Sequence, residues 1–290
     1  NDKIDAKLIS KMLLSYDYKT NSSISYHILK LKSLTRFRKR LVKNRTVFKE
    51  RLINILDIAF PEYSKHFTQV WGKVSFYILK NYPTAKDIAN INVEEVMTTI
   101  HSLSKGHYSM IKLMKLIETA KTSIGFKNDY HVLELQLTIN MIEQLDSSID
   151  KIENEIIEIM NQYNFKTATI PGIGIISAAS IVSEYEDFSK FQNPNQLLSF
   201  AGLEPAIYQS GTQQTYGHMV KRGSSYLRET IMNIIPYVMA YNSVFYEYYR
   251  KKKSEGKHHR VALTHLAKKL IRIIYHLETN NISFDSSKIK

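Results

Sequence analysis

The chain has 290 residues, 43% of them hydrophobic, and carries 40 Lys and Arg against 27 Asp and Glu, a formal charge of +13. That length exceeds one ordinary domain and predicts two or more packed units. With no cysteine, disulfides and thiolate zinc sites are excluded; no apolar run approaches the ~20 residues of a membrane span, and the basic excess favours a polyanion, nucleic acid before acidic membrane.

Residues 2–14, DKIDAKLISKMLL, have helical spacing at Ile4, Leu8 and Leu13. Asp2 and Asp5, three apart, share a helix face. Acids at a helix start are welcomed by the dipole, and two carboxylates also supply part of the oxygen set of a hard cation such as Mg²⁺. The polar run KTNSS then breaks the pattern. A long helix is predicted over 28–60, with Leu31, Leu34, Leu41, Phe48, Leu52, Ile55 and Ala59 on one line, stopping before Pro61. Between Lys30 and Arg51 it holds ten basic residues, Arg36, Arg38 and Arg40 among them, and one acid.

Shorter helices are expected over 61–130. A second long helix is predicted over 130–163, where Leu133, Leu137, Met141, Leu145, Ile149, Ile152, Ile156 and Met160 read as a coiled-coil seam. Its acids suit antiparallel pairing with the basic helix or with another copy; a solvated acidic face fits as well. Composition shifts at 164–169, placing a boundary near 166.

Beyond it, Ile170-Pro171-Gly172-Ile173-Gly174 precedes an apolar helix. Gly172 and Gly174 allow a tight turn at positive φ, and the helix start offers free N–H groups to a phosphate, as in a helix-hairpin-helix. A plain connection in an all-α core fits the same residues. Residues 208–228, YQSGTQQTYGHMVKRGSSYLR, contain no acid and read as a polar loop. There Lys221, Arg222 and Arg228 would favour a phosphodiester approached by the Ser210 hydroxyl, with His218 a weak candidate base; an ordinary loop serine is the simpler reading. From 250 to 272, nine basic residues, including Lys251 and Lys252, accompany one acid. The aromatic steps before them (Tyr237, Tyr241, Phe245, Tyr248, Tyr249) suit a core stripe or base stacking.

Taken in order, DKIDA, AFPE, NYPT, IPGIG, DFSKF, LLSFAGLEP, YQSGT, VKRGSSYLR and ALTHLAKKL resemble the DEDD-type insertion-sequence transposases, the IS-one-ten family that includes the Piv-like DNA invertases. The resemblance implies a mainly α chain in three parts: residues 1–27 as the end of a RuvC-like (RNase H fold) domain, 28–165 as a helical and coiled-coil region, and 166–290 as an α-helical transposase domain with a helix-hairpin-helix. It implies Asp2 and Asp5 as the third and fourth acids of a Mg²⁺ site whose first two acids are not in this chain, so the fragment alone is expected to be inactive. It implies Ser210 as the nucleophile in DNA cleavage and rejoining, a structured noncoding RNA as guide, a dimer or tetramer joined through the coiled coil, and the bacterial cytoplasm. Nucleic acid would then lie along Gly172, Gly174, Lys221, Arg222, Arg228, Arg36, Arg38, Arg40, Lys251 and Lys252. The alternative is a non-catalytic nucleic-acid-binding scaffold or a decayed transposase fragment.

Overall fold

A computed structural model describes residues 10, 26–126, 129–210, 213–219 and 221–288, with residues 129, 205–210 and 213–219 described by backbone alone. Asp2 and Asp5, and nearly all of 1–27, lie outside the described residues. The described chain is mainly α, with one two-stranded antiparallel sheet. It forms two compact units, residues 38–152 and residues 1–37 with 153–290. The division falls inside both long helices, α1 (Tyr26–Ala59) and α6 (Asp129–Gln162). Each lies within one residue of the range its periodicity predicts at the start or end, or two at most, and α1 stops short of Pro61 as expected.

In the 38–152 unit, Leu52, Ile55 and Leu56 of α1 share a core with Leu135, Ile139 and Ile142 of α6. Four shorter helices complete it: α2 (Lys73–Asn81), α3 (Ala85–Ala89), α4 (Val93–Ser104) and α5 (Met110–Lys121). Local chemistry sets their starts. Thr84 and Asp87 form a reciprocal capping box for α3, and the Asn92 side chain caps α4. Arg45 pairs with Asp146 across the two long helices. In the other unit, Lys30 pairs with Glu155 at 2.8 Å and the His27 and Tyr163 rings meet at 5.6 Å. In both units rising α1 numbers meet falling α6 numbers, so the helices run antiparallel, as their opposite charges favour.

The seam itself differs from the one read from sequence. Leu133, Leu137 and Met141 are about half exposed, while Leu135, Ile139 and Ile142 are buried. The first half of α6 carries apolar residues on two faces, and tertiary packing chose the one that periodicity did not. From Ile149 onward the predicted line is correct at Ile149, Ile156 and Met160, all buried.

The other unit continues through a 3₁₀ turn (Lys166–Thr169), α7 (Ile175–Tyr185), α8 (Pro194–Ala201), strands β1 (Pro205–Ser210) and β2 (Gln213–Met219), α9 (Ser225–Tyr241), α10 (Ser243–Ser254) and α11 (His259–Asn280). Helix α9 packs against α7, α10 and α11, and α11 also covers α8. Asn193 caps α8 with Pro194 in its first turn, and Gly202 ends it in the left-handed region. Tyr185 anchors an aromatic cluster with Phe188, Phe191 and Phe200.

The two glycines of the IPGIG turn do different work. Gly172 has φ +93°, and a Cβ there would lie 2.6 Å from the Val238 backbone of α9. Its bare backbone is therefore what lets the turn rest on α9. Gly174 caps α7 in the extended region, with nothing within 4 Å of where its Cβ would be. We expect Gly172→Ala to lower the unfolding free energy by roughly 2–4 kcal/mol, from backbone strain plus overpacking. Gly174→Ala should cost less than about 1 kcal/mol. Urea denaturation of the two variants measures the contrast; equal losses would remove the close-packing role of Gly172.

Candidate active-site hairpin and nucleic-acid interface

The stretch read as a polar loop contains a β-hairpin. Strand β1 pairs antiparallel with β2, with Ile207 opposite Tyr216, Tyr208 opposite Thr215 and Ser210 opposite Gln213. Ser210 is thus the last paired residue before the tip; residues 211 and 212 lie outside the described residues. The signal for this hairpin was present. Ile207, Tyr208, Thr215 and Tyr216 are β-formers placed symmetrically about a Ser-Gly-Thr tip.

The register also bears on activation of the serine. His218 lies near the Pro205–Met219 end of the ladder. At about 3.3 Å per residue, five residues along β2 separate it from the tip by roughly 16 Å. Within one hairpin the backbone register therefore sets positions 218 and 210 toward opposite ends of the ladder.

At the hairpin's neck the chain is pinned by backbone contacts. Gly202, φ +65°, leaves no room for a Cβ, which would sit 2.1 Å from the Arg222 carbonyl oxygen. The Ser224 amide donates to the Phe200 carbonyl at 2.9 Å. Arg228 closes the neck by donating from Nη1 to the carbonyls of Ala201 (3.3 Å) and Lys221 (3.2 Å). Lys221, itself at φ 52°, and Arg222 are exposed beside this neck.

Beneath the neck lies Glu184, a carboxylate only 2% exposed. Arg36 donates to it from Nε at 2.6 Å and from Nη2 at 3.0 Å, and the Ser224 hydroxyl donates at 2.7 Å. Ser224 also caps α9 by accepting from the Leu227 amide. Two parallel contacts flank this junction: Lys32 pairs with Glu186 at 2.6 Å, and the Thr35 and Ser183 hydroxyls approach at 3.4 Å. The Arg36 guanidinium, which also lies over the Tyr226 ring at 4.7 Å, is thereby engaged within the protein. Arg38 and Arg40 follow on the same helix, half-buried and exposed.

The second basic run faces outward. Most positions from 250 to 260 are exposed, Lys251 among them. Lys252 pairs with Glu255 at 2.8 Å and lies over the Tyr248 ring, which Lys269 approaches too. Burial and then the charges of Lys252, Lys268 and Lys257 hold His265 below the usual imidazole range. Burial and then Arg272 do the same to Lys268. Of the aromatic steps, Phe245 is buried whereas Tyr237 and Tyr241 are exposed. Among the described residues no group of three or more His, Asp or Glu is gathered to hold a metal ion, and no helix is long and apolar enough to cross a membrane.

The Glu184 junction has a pH signature. Burial pushes its carboxyl up, but the hydrogen bonds from Arg36 and Ser224 and the charges of Arg36 and Lys32 outweigh it and hold the group below its ordinary value. A depressed carboxyl stabilises the fold above its unfolded-state pKa, and that contribution is lost as pH falls through the lower folded-state value. We expect Glu184→Gln to cost about 2–4 kcal/mol at pH 7 and the deficit to shrink steadily below about pH 4. Urea midpoints of both proteins across pH 3–7 test this; a deficit independent of pH would mean that the charge is not what stabilises the junction.

Comparison with known proteins adds a family to this geometry. Residues 166–250 match the family model described as "Transposase IS116/IS110/IS902 family", and residues 1–61 match a DEDD-type model described as "Transposase". Together the two segments take in half of the chain. The chain is 25% identical over 254 residues to an insertion element IS116 protein of Streptomyces clavuligerus, covering 84% of this chain and 62% of that one. It is 27% identical over 159 residues to the pilin gene-inverting protein of Moraxella lacunata (51% and 48%) and 23% identical over 233 residues to the transposase of element IS1111A of Coxiella burnetii (80% and 53%). The chain therefore spans less than two thirds of the length of these relatives. With both of its matched segments pointing the same way, the chain belongs to the IS116/IS110/IS902 family of insertion-sequence transposases.

Proposed function

We propose that this chain is part of a DNA recombinase of an insertion sequence, in which Ser210 attacks a DNA phosphodiester and holds the cut strand covalently until it is rejoined. The observation that supports this most is the hairpin. It carries Ser210 as its last paired residue before the tip, on a neck pinned by Gly202, Ser224 and Arg228 with Lys221 and Arg222 exposed beside it. A nucleophile for phosphate gains from nearby cations and loses near carboxylates, and residues 208–228 contain no acid. When the serine oxygen bonds to phosphorus, the bond to a DNA oxygen breaks. A later DNA hydroxyl reverses the exchange, so no hydrolysis intervenes.

Asp2 and Asp5 would contribute oxygens to a divalent metal, Mg²⁺ in our reading. Two carboxylates fall short of the set such an ion takes, so further acids of the complete protein would have to join them. When bound, the ion would polarise phosphate oxygens. The Moraxella relative is named for inverting a pilin gene, which accords with cutting and rejoining. A structured RNA that pairs with DNA would supply sequence recognition, leaving the outward basic helices α10 and α11 to hold backbones. Half-exposed Leu133, Leu137 and Met141 on α6 support pairing with a second copy.

In protein carrying all four acids, a nicked suicide DNA substrate should yield a covalent protein–DNA adduct on a denaturing gel, and Ser210→Ala should abolish it. An adduct of undiminished yield in Ser210→Ala would remove Ser210 as the nucleophile.

A further inference from the structure

A cavity of about 340 Å³ opens between one face of α11 and the chain that returns after it, residues 282–288. Its outer wall is held in place. Asn281 turns the chain at φ 53°, the Ile282 amide donates to the Leu277 carbonyl at 3.1 Å, and the Phe284 amide donates to the Thr169 hydroxyl at 2.9 Å. The lining divides into an apolar set, Ile273, Leu277 and Ile282, here the floor, and a cationic set, Lys269, Arg272 and Lys288, here the rim.

We propose that this cavity seats one unpaired nucleotide of a nucleic-acid strand, its base and sugar on the apolar floor and its phosphate against the cationic rim. The rim carries three cations against one carboxylate, Asp285. That carboxylate is turned into its own turn, accepting from the Ser287 amide at 3.0 Å and hydroxyl at 2.7 Å, with Lys288 3.7 Å away. Arg272 is exposed and, among the described residues, has no hydrogen-bond or ion-pair partner. An unengaged guanidinium beside two ammonium groups is a phosphate site by charge and by geometry. Lys269 lies over the Tyr248 ring at 4.9 Å, which joins the rim to the basic surface of α10. At the same face the Asn280 side-chain nitrogen lies 3.0 Å from Nδ1 of His276.

The apolar floor separates a nucleotide from a bare anion, which would cover none of it. Enclosure favours a single strand, because the bases of a duplex are stacked and paired and cannot enter a side cavity. The inference rests on the nucleic-acid reading above but not on Ser210. An adduct surviving Ser210→Ala would overturn the nucleophile and leave this site standing, and failure here would leave the adduct chemistry untouched.

Fluorescence anisotropy of the full chain with labelled 20-nucleotide uridine and thymidine strands, and with a blunt duplex of equal length, tests it over a salt series. Arg272→Gln should weaken single-strand binding about 5–10-fold and flatten the log K against log salt slope by about 0.7, the value for one phosphate contact on a single strand. Duplex binding should change less than twofold. Ile282→Asn should weaken single-strand binding without altering the slope. Lys251→Gln, which lies outside the cavity, should weaken strand and duplex alike. A loss confined to the uridine or to the thymidine strand supports the site and names its source as RNA or DNA. The proposal is overturned if both cavity variants, melting as the parent does, bind single strands normally. It is also overturned if they lose duplex binding equally, or if poly-glutamate at equal charge displaces the strand as well as a second strand does.

Discussion

A carboxylate nearly closed off from solvent governs the unit that bears the hairpin. Glu184 sits at the end of α7, where a charge without donors would cost several kcal/mol. Its donors come from two elements far away in sequence, Arg36 on α1 and Ser224 at the start of α9. Satisfying one buried charge therefore fixes the approach of three helices at once. Ser224 is also the residue by which α9 begins and the residue that holds the hairpin's return to Phe200. The burial of one acid and the aim of the hairpin are in this sense a single constraint.

That constraint explains why net charge is a poor guide to where this protein meets a polyanion. The two basic runs look alike in sequence, +9 over residues 30–51 and +8 over 250–272. In the first, Lys30, Lys32, Arg36 and Arg45 each face a carboxylate, and Lys49 lies over the Trp71 ring. Much of its charge neutralises the acids of α6 and α7. In the second, Lys252 has a carboxylate partner in Glu255, while burial and then neighbouring like charges hold His265 and Lys268 below their ordinary values. A field that its own protein leaves unbalanced is the one that attracts phosphate. The interface is therefore better sought on α10 and α11 than along α1.

Much of the fold was legible because periodicity and punctuation agreed. The two long helices were bounded by Pro61 and by the composition shift after Tyr163, and their opposite charges suited antiparallel pairing as well as a solvated acidic face. What stayed hidden depended on contacts no pattern encodes. Leu133 and Leu135 are equally apolar, yet only the second is buried, because the choice of face belongs to the helices packed around α6. Gly172 read equally as a glycine for a phosphate's approach or for a plain connection, and the backbone it admits is that of α9, 66 residues on. Arg36 read as a phosphate contact because sequence shows a charge and not its partner, Glu184, 148 residues away. The hairpin was missed for a different reason: its polar, glycine-bearing composition outweighed four β-formers in the right register.

The geometry of the hairpin limits how its serine is made reactive. A hydroxyl is a weak nucleophile unless a base or an electrophile assists it. Along the hairpin, His218 is only a weak candidate base, and the ladder sets that position at the neck and position 210 beside the tip. The proposed serine would then be activated by groups brought to it from elsewhere. Residues 26–37 of α1 belong to the same compact unit as the hairpin, and Arg36 of α1 is bonded to the carboxylate beneath the hairpin's neck. Under the proposed function, a nucleophile held apart from its activator would cleave only once both are assembled on DNA. The buried junction at Glu184 ties the start of α9, just after the hairpin, to α1 and α7.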